Sequence, residues 1–177
     1  IKTILTLHAE FMYTANCGYA FDCNKWETGC GHCPRLKQET RSLLLDATAY
    51  SWRRMKRAFD GFKENLVIAS VSPWLMQRAK LSPILADKKH VVVLNGLDTD
   101  VFHHYSSNHI RAELGIKNDE KIIFHATPNF TDDPKHIKGG RFVIELAKRM
   151  PHIRFVVAGP IYGEPPKVSS NVLLLGS

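Results

Sequence analysis

Residues 122–150 read IIFHATPNFTDDPKHIKGGRFVIELAKRM, and this stretch decides the fold. Its apolar beginning predicts a buried strand, and a polar loop containing Pro128 and Pro134 follows. Residues 138–149 then have the apolar spacing of an amphipathic helix. A buried strand followed by a helix is typical of a parallel sheet with crossover helices.

The other apolar runs repeat this alternation along the chain. We predict strands at 1–7, 66–71, 90–94, 121–125, 154–158 and 171–175, and helices at 46–65, 74–79, 109–114 and 138–149. Residues 96–108 are polar and have neither period, which predicts an interdomain linker. The sequence therefore predicts an α/β protein with two parallel-sheet domains, residues 1–95 and 109–177. Because the chain begins and stops in strand-like runs, we expect both domains to be incomplete.

Two residues follow predicted strands at positions where open α/β sheets bind ligands. Lys138 lies where a helix begins, and free backbone N–H groups and the helix dipole favour phosphate there. The alternative is an ordinary strand-to-helix connection with a solvated lysine. His8 follows the first strand and could act on a substrate, although a structural, hydrogen-bonded histidine fits the same position.

All four cysteines lie in one loop, residues 17–33, that is rich in glycine, asparagine and aromatic residues. Their spacing is Cys17-x5-Cys23-x6-Cys30-x2-Cys33, and the final pair is typical of a zinc knuckle. A structural zinc ion would stabilise a loop that we expect to lack a hydrophobic core of its own. Two disulfides or four free thiols are the alternatives. Four thiolates leave no open coordination position, so no catalytic role is expected for the metal.

The formal charge of +7 is concentrated in residues 35–80, where ten Lys and Arg face four Asp and Glu. This excess indicates an acidic partner such as a membrane surface, a phosphorylated substrate or nucleic acid. In the predicted helix 46–65, apolar residues form one stripe (Tyr50 or Trp52, Met55, Phe59 and Phe62) beside four basic residues (Arg53, Arg54, Lys56 and Arg57). Such a helix can rest on anionic lipid or pack its stripe on a sheet, and the second interpretation is favoured.

Three segments resemble GT-B glycosyltransferases, in particular the large retaining family 4. LTLHAEFMYTANCGYAFDCNKWETGCGHCPRL (residues 5–36) resembles the strand-to-histidine segment of a subgroup with a W-x-x-G-C-x-x-C-P loop. VSPWLMQRAKLSPIL and VVVLNGLDTDVF (residues 71–85 and 91–102) resemble the end of the N-terminal domain and the hinge. Residues 122–160 resemble the first βαβ unit of the C-terminal, donor-binding domain.

The resemblance implies two Rossmann-like domains, with the acceptor bound on the N-terminal side and a UDP- or GDP-sugar donor on the C-terminal side. The sugar would be transferred to a saccharide or lipid-linked acceptor with retention of configuration, without a cofactor. Lys138 and Gly139 match the family's diphosphate-binding residues, and His8 matches the histidine near the donor sugar. The implied setting is bacterial surface polysaccharide synthesis in the cytoplasm, with peripheral contact to the inner face of the cell membrane.

Two departures from the family's pattern affect these expectations. The arginine usually found about five residues before the lysine is Asp133 here, and Lys135 or His136 is the expected substitute. A glutamate motif and a glycine-rich loop of the family have no counterpart in these 177 residues, so we expect the chain by itself to be inactive.

Two other functions compete with sugar transfer. The cysteines and the basic, aromatic segment 35–80 fit a zinc-stabilised nucleic-acid-binding module, although no recognised nucleic-acid-binding motif is present, so nucleic acid is not an expected partner. A non-catalytic α/β binding domain is the third interpretation. Nucleic-acid binding would weaken steeply with salt, whereas UDP or GDP would compete only with a nucleotide-sugar.

Overall fold

The computed structural model describes residues 1–39, 42 and 44–176. The chain forms two compact units that divide between Phe102 and His103. Each unit contains one three-stranded parallel sheet, and helices lie in three of the four connections between successive paired strands. The predicted α/β class with two parallel sheets is therefore confirmed. Arg41, which was counted in the basic segment, lies outside the described residues.

The first unit contains strands β1 (Thr3–Leu7), β2 (Leu66–Ser70) and β3 (Lys89–Val92), with β2 in the centre of the sheet. Its helices are α1 (Phe11–Thr14), α2 (Leu36–Glu39), α3 (Thr48–Asp60) and α4 (Pro73–Leu81), and short 3-10 helices occur at Lys25–Glu27 and Lys63–Asn65. Both strand pairs are parallel, with Leu7 opposite Ser70 at the carboxyl ends of β1 and β2.

Local sequence signals explain where these helices begin and end. The Ser72 hydroxyl accepts the N–H of Leu75 at 3.1 Å and caps α4, and Pro73 occupies the first helical position. Helix α3 ends five residues before the predicted limit, because Lys63 adopts a left-handed conformation with φ of 48°. Its residues Trp52 and Phe59 are buried in the core of the unit, whereas Tyr50 is exposed.

The second unit contains strands β4 (Ile122–Ala126), β5 (Arg154–Ala158) and β6 (Val172–Gly176), again with parallel pairing and β5 in the centre. Its helices are α5 (Asn108–Glu113) and α6 (Gly140–Arg149). Helix α6 begins two residues later than predicted, because Gly139 adopts a left-handed conformation with φ of 72°.

Two strands predicted from apolar runs are only partly buried. Strand β4 pairs only with β5, and Phe124 on β4 remains 62% exposed. Strand β3 is likewise at a sheet edge and half-exposed. The central strand β5 instead buries Phe155, Val156 and Val157. An apolar run thus predicts a strand, but its burial depends on what packs beside it.

Residues 93–107 contain no helix or strand and are exposed. Among the described residues, no helix combines the length and apolar character that crossing a membrane requires.

Candidate functional site

Lys138 lies in the loop that leaves the carboxyl end of β4 and leads into α6. Its side chain is exposed, and its ammonium group has no hydrogen-bond or ion-pair partner within the described part of the chain. Gly139 is the N-cap residue and supplies no side-chain acceptor to the first turn. Phe142 donates its N–H to the Gly139 carbonyl, whereas the N–H groups of Gly140 and Arg141 have neither a helical acceptor nor a side-chain cap among the described residues, and Lys138 precedes them directly in the chain.

Gly140, the first residue of α6, allows the loop to pass against the beginning of the helix. A Cβ atom at this position would lie 2.4 Å from the carbonyl oxygen of Thr131, which is too close for any side chain. The phenyl ring of Phe130 lies beside it, buried in the core of the unit. The loop therefore packs closely against the helix start, two residues after Lys138.

Three buried polar atoms on β4 and the loop that follows it have no hydrogen-bond partner in the part of the chain that the structure describes. They are His125 Nε2, Asn129 Oδ1 and His136 Nδ1. An unpaired buried polar atom costs about 1–3 kcal/mol, so such atoms in a native fold call for an explanation, for example a ligand or water. Sequence reasoning named only His136, and no sequence signal distinguishes the other two from ordinary strand and loop residues.

Asp133 lies in the loop before Lys138, and its hydrogen bonds show what an aspartate does at this position. Its Oδ1 accepts the N–H of Lys135 at 2.9 Å, and its carbonyl accepts the N–H of His136 at 3.1 Å. Asp133 therefore forms the turn that precedes Lys138. The side chain of Lys135 is exposed and has no ion-pair partner among the residues described.

His8 directly follows the last residue of β1, at the carboxyl edge of the first unit's sheet. Its imidazole is exposed and makes no hydrogen bond with any described residue. The hydroxyl of Ser70, at the carboxyl end of β2, is buried and has no hydrogen-bond partner among the described residues. Sequence reasoning missed Ser70, because an apolar run that ends in serine carries no functional signal.

The four cysteines are free thiols that line one small cavity, together with Trp26, Pro34 and Thr48 among others. The cavity holds about 20 Å³, close to the volume of one water-sized sphere. Within residues 1–39, 42 and 44–176, no three His, Cys, Asp or Glu side chains are arranged as a metal site. The fold thus brings the four predicted ligands to one place as thiols, without a preformed coordination geometry.

The backbone of the cysteine loop is unusually curled. Four successive residues, Gly29 to His32, have positive φ, although Cys30 and His32 are not glycines. The curl is fixed by the Lys25 ammonium, which donates to the carbonyl oxygens of Gly31 at 3.2 Å and His32 at 2.6 Å.

The beginning of α3 supports the same curl. The hydroxyl of Thr48 accepts the N–H of Gly31 at 3.1 Å, and Asp46 accepts the N–H of Cys33 at 2.6 Å. Hydrogen bonds from Thr48 and from the Cys33 N–H lower the pKa of Asp46 to about 2. The loop is therefore attached to α3 by a carboxylate that stays ionised at neutral pH.

Burial raises the pKa of the Cys17 thiol to about 12, and the nearby Glu39 carboxylate and the other three cysteines act in the same direction. Burial also raises the pKa of Cys30 to about 11. Thiolates crowded in an apolar cavity are unfavourable without a compensating cation.

The cysteine loop and the segment before it contribute side chains to the main core of the first unit rather than forming a core of their own. Tyr13, Ala20 and Trp26 are fully buried and belong to the main core of the first unit. The rings of Tyr13 and Trp26 meet edge to face at 5.0 Å, and the indole of Trp52 donates to the carbonyl of Trp26 at 2.9 Å.

A buried carboxylate, Glu10, connects the loop to α4. It accepts hydrogen bonds from the Tyr13 hydroxyl, the Ala20 N–H and the Arg78 guanidinium. The guanidinium also lies over the rings of Trp26 and Trp74, at 5.0 and 5.1 Å. Sequence reasoning missed this network, because its charged partners are 68 residues apart.

The basic helix α3 exposes Arg53, Arg54 and Arg57. Arg54 lies 5.9 Å from the centre of the exposed Tyr50 ring, and both line a depression of about 310 Å³ with Met55. Peripheral membrane contact by this surface stays a prediction.

No protein-family model matches the sequence, and no curated protein is significantly similar to it.

Proposed function

We propose that the chain belongs to a retaining glycosyltransferase of the GT-B type, in which the second unit binds the diphosphate of a nucleotide-sugar. The observation that carries this proposal is Lys138, an exposed ammonium without a protein partner at the uncapped beginning of α6. Its position at the carboxyl edge of a parallel sheet is where α/β folds bind ligands.

The chemistry of sugar transfer matches these groups. When the bond between the anomeric carbon and the diphosphate oxygen breaks, negative charge builds on the leaving phosphate. A fixed ammonium and aligned N–H groups stabilise that charge without a metal ion. The acceptor hydroxyl forms the new bond to the anomeric carbon, and its proton leaves with the diphosphate. His136 and Asn129 supply buried polar atoms for contacts beside the phosphates, and Gly139 and Lys135 complete the proposed donor-binding residues.

His8 is the proposed contact to the donor sugar, where its unpaired imidazole would hydrogen-bond a hydroxyl or the reacting centre. The proposed acceptor is a saccharide or lipid-linked chain in bacterial surface polysaccharide synthesis. A cytoplasmic enzyme resting on the inner face of the cell membrane is part of this proposal, and the exposed Arg53, Arg54 and Arg57 support it because anionic lipids attract clustered basic residues.

The test is binding of UDP, GDP and a panel of their sugars, measured by thermal stabilisation and titration calorimetry. Replacing Lys138 with glutamine removes a charge-assisted contact worth about 1.5–3 kcal/mol, so we expect about 10- to 100-fold weaker binding. Lys148→Gln is the matched control, because Lys148 lies in the last turn of the same helix. Equal binding by Lys138→Gln and the wild type would refute the assignment, as would the absence of any nucleotide ligand.

A further inference from the structure

All four thiols of the cysteine loop line one small cavity, which has no role in the proposed sugar transfer. At about 20 Å³ it accommodates one ion or one water molecule and no organic ligand. Cys30 Sγ contacts the Thr14 carbonyl at 3.7 Å and has a hydrogen bond with the Asn16 side chain, whereas the other three thiols have no hydrogen-bond partner among the described residues.

The loop backbone is held in a conformation that places Cys30 and Cys33 at this cavity at an energetic cost. Left-handed conformations at Cys30 and His32 are disfavoured by about 1–2 kcal/mol each. Three separate contacts maintain the curl, namely Lys25 to the Gly31 and His32 carbonyls, Thr48 to Gly31, and Asp46 to Cys33. The buried aromatic rings already attach the loop to the core, so hydrophobic packing alone does not account for a strained turn at the cysteines.

We propose that Cys17, Cys23, Cys30 and Cys33 bind one zinc ion as a closed tetrathiolate site. Four sulfur ligands at tetrahedral geometry are characteristic of structural zinc. Zinc binding requires the four thiol groups, which now lie on the cavity wall, to point toward its centre. Each thiol loses its proton when its sulfur binds Zn²⁺, so four protons are released. The ion cross-links the two halves of the cysteine loop, and it has no open position for catalysis. The site does not depend on the proposed sugar transfer.

The experiment measures the metal content of the chain purified without chelator under reducing conditions, by elemental analysis and native mass spectrometry. We expect about one zinc per chain, and substitution by Co²⁺ should give sulfur-to-cobalt charge-transfer bands and the visible spectrum of a tetrahedral ion. Cys23→Ser and Cys33→Ser should lose stoichiometric binding. His32→Asn is the matched control, because asparagine tolerates the left-handed conformation and His32 lies beside the same pair of cysteines; we expect it to retain the metal.

Cobalt titration of the wild-type chain, after extraction of its metal, keeps the test decisive if a cysteine variant fails to fold. Four reactive thiols in native chain incubated with zinc would overturn the proposal. Two disulfides in protein kept under reducing conditions would also overturn it.

Discussion

Replacing Glu10 with glutamine should strongly destabilise the first unit, because this carboxylate is the central acceptor of a buried network. Glu10 is 4% exposed and accepts hydrogen bonds from Tyr13, Ala20 and Arg78. Glutamine has the same shape, but its amide places a donor against groups that are themselves donors. Removing one member of a buried charge pair costs about 3–5 kcal/mol. The Arg78 side chain is 23% exposed and keeps part of its hydration, so we expect about 3 kcal/mol.

Tryptophan fluorescence is a selective assay for this effect. The three tryptophans of the chain, Trp26, Trp52 and Trp74, all lie in the first unit, so their emission reports its unfolding in urea. With a denaturant slope of about 2 kcal/mol per molar, a loss of about 3 kcal/mol lowers the midpoint by about 1.5 M. Asp60→Asn is the control, because it removes an exposed carboxylate paired with Lys56 on α3, and we expect a change below about 0.5 kcal/mol.

A double substitution distinguishes loss of the Glu10–Arg78 charge pair from loss of side-chain packing. Glu10→Gln combined with Arg78→Met removes both charges, and the double variant should be more stable than the sum of the single losses predicts. If Glu10→Gln shifts the midpoint no more than Asp60→Asn does, the reasoning that this carboxylate anchors the cysteine loop is refuted.

Two further substitutions test other parts of the structure. Gly159→Ala should destabilise the second unit by about 3 kcal/mol or more, because the new Cβ would lie 1.9 Å from the Thr127 carbonyl oxygen at φ of 144°. Hydrogen exchange of the β4 and β5 amides measures this loss. Gly163→Ala is the control and should cost only about 1–2 kcal/mol, because the space around Gly163 is open. Burial lowers the pKa of His90 below its usual value of about 6.5, so the unfolded state binds more protons and the first unit should lose stability as the pH falls below that value. His90→Gln keeps a donor for the Leu85 carbonyl and should reduce the change in urea midpoint between pH 7 and pH 5. If the midpoint of this variant changes with pH as much as that of the wild type, His90 is not the group responsible.

Local patterns were sufficient to predict most of the secondary structure. Apolar runs of strand length gave the six strands within one or two residues, since side-chain periodicity and turn residues act over short distances. The buried Phe59 also followed from local spacing, whereas only the structure decided that Trp52 rather than Tyr50 belongs to the apolar stripe. The clustering of the cysteines in the sequence predicted that they act together at one site, and the fold brings all four thiols to one cavity.

Contacts between distant residues decided the rest. No sequence rule pairs Glu10 with Arg78, because only the packing of the loop against α4 brings them together. The exposure of Phe124 depends on β4 being an edge strand, which an apolar run cannot indicate. The unpaired atoms of Asn129 and His136 became recognisable only once burial had removed them from water, since in the unfolded chain every polar group can be solvated.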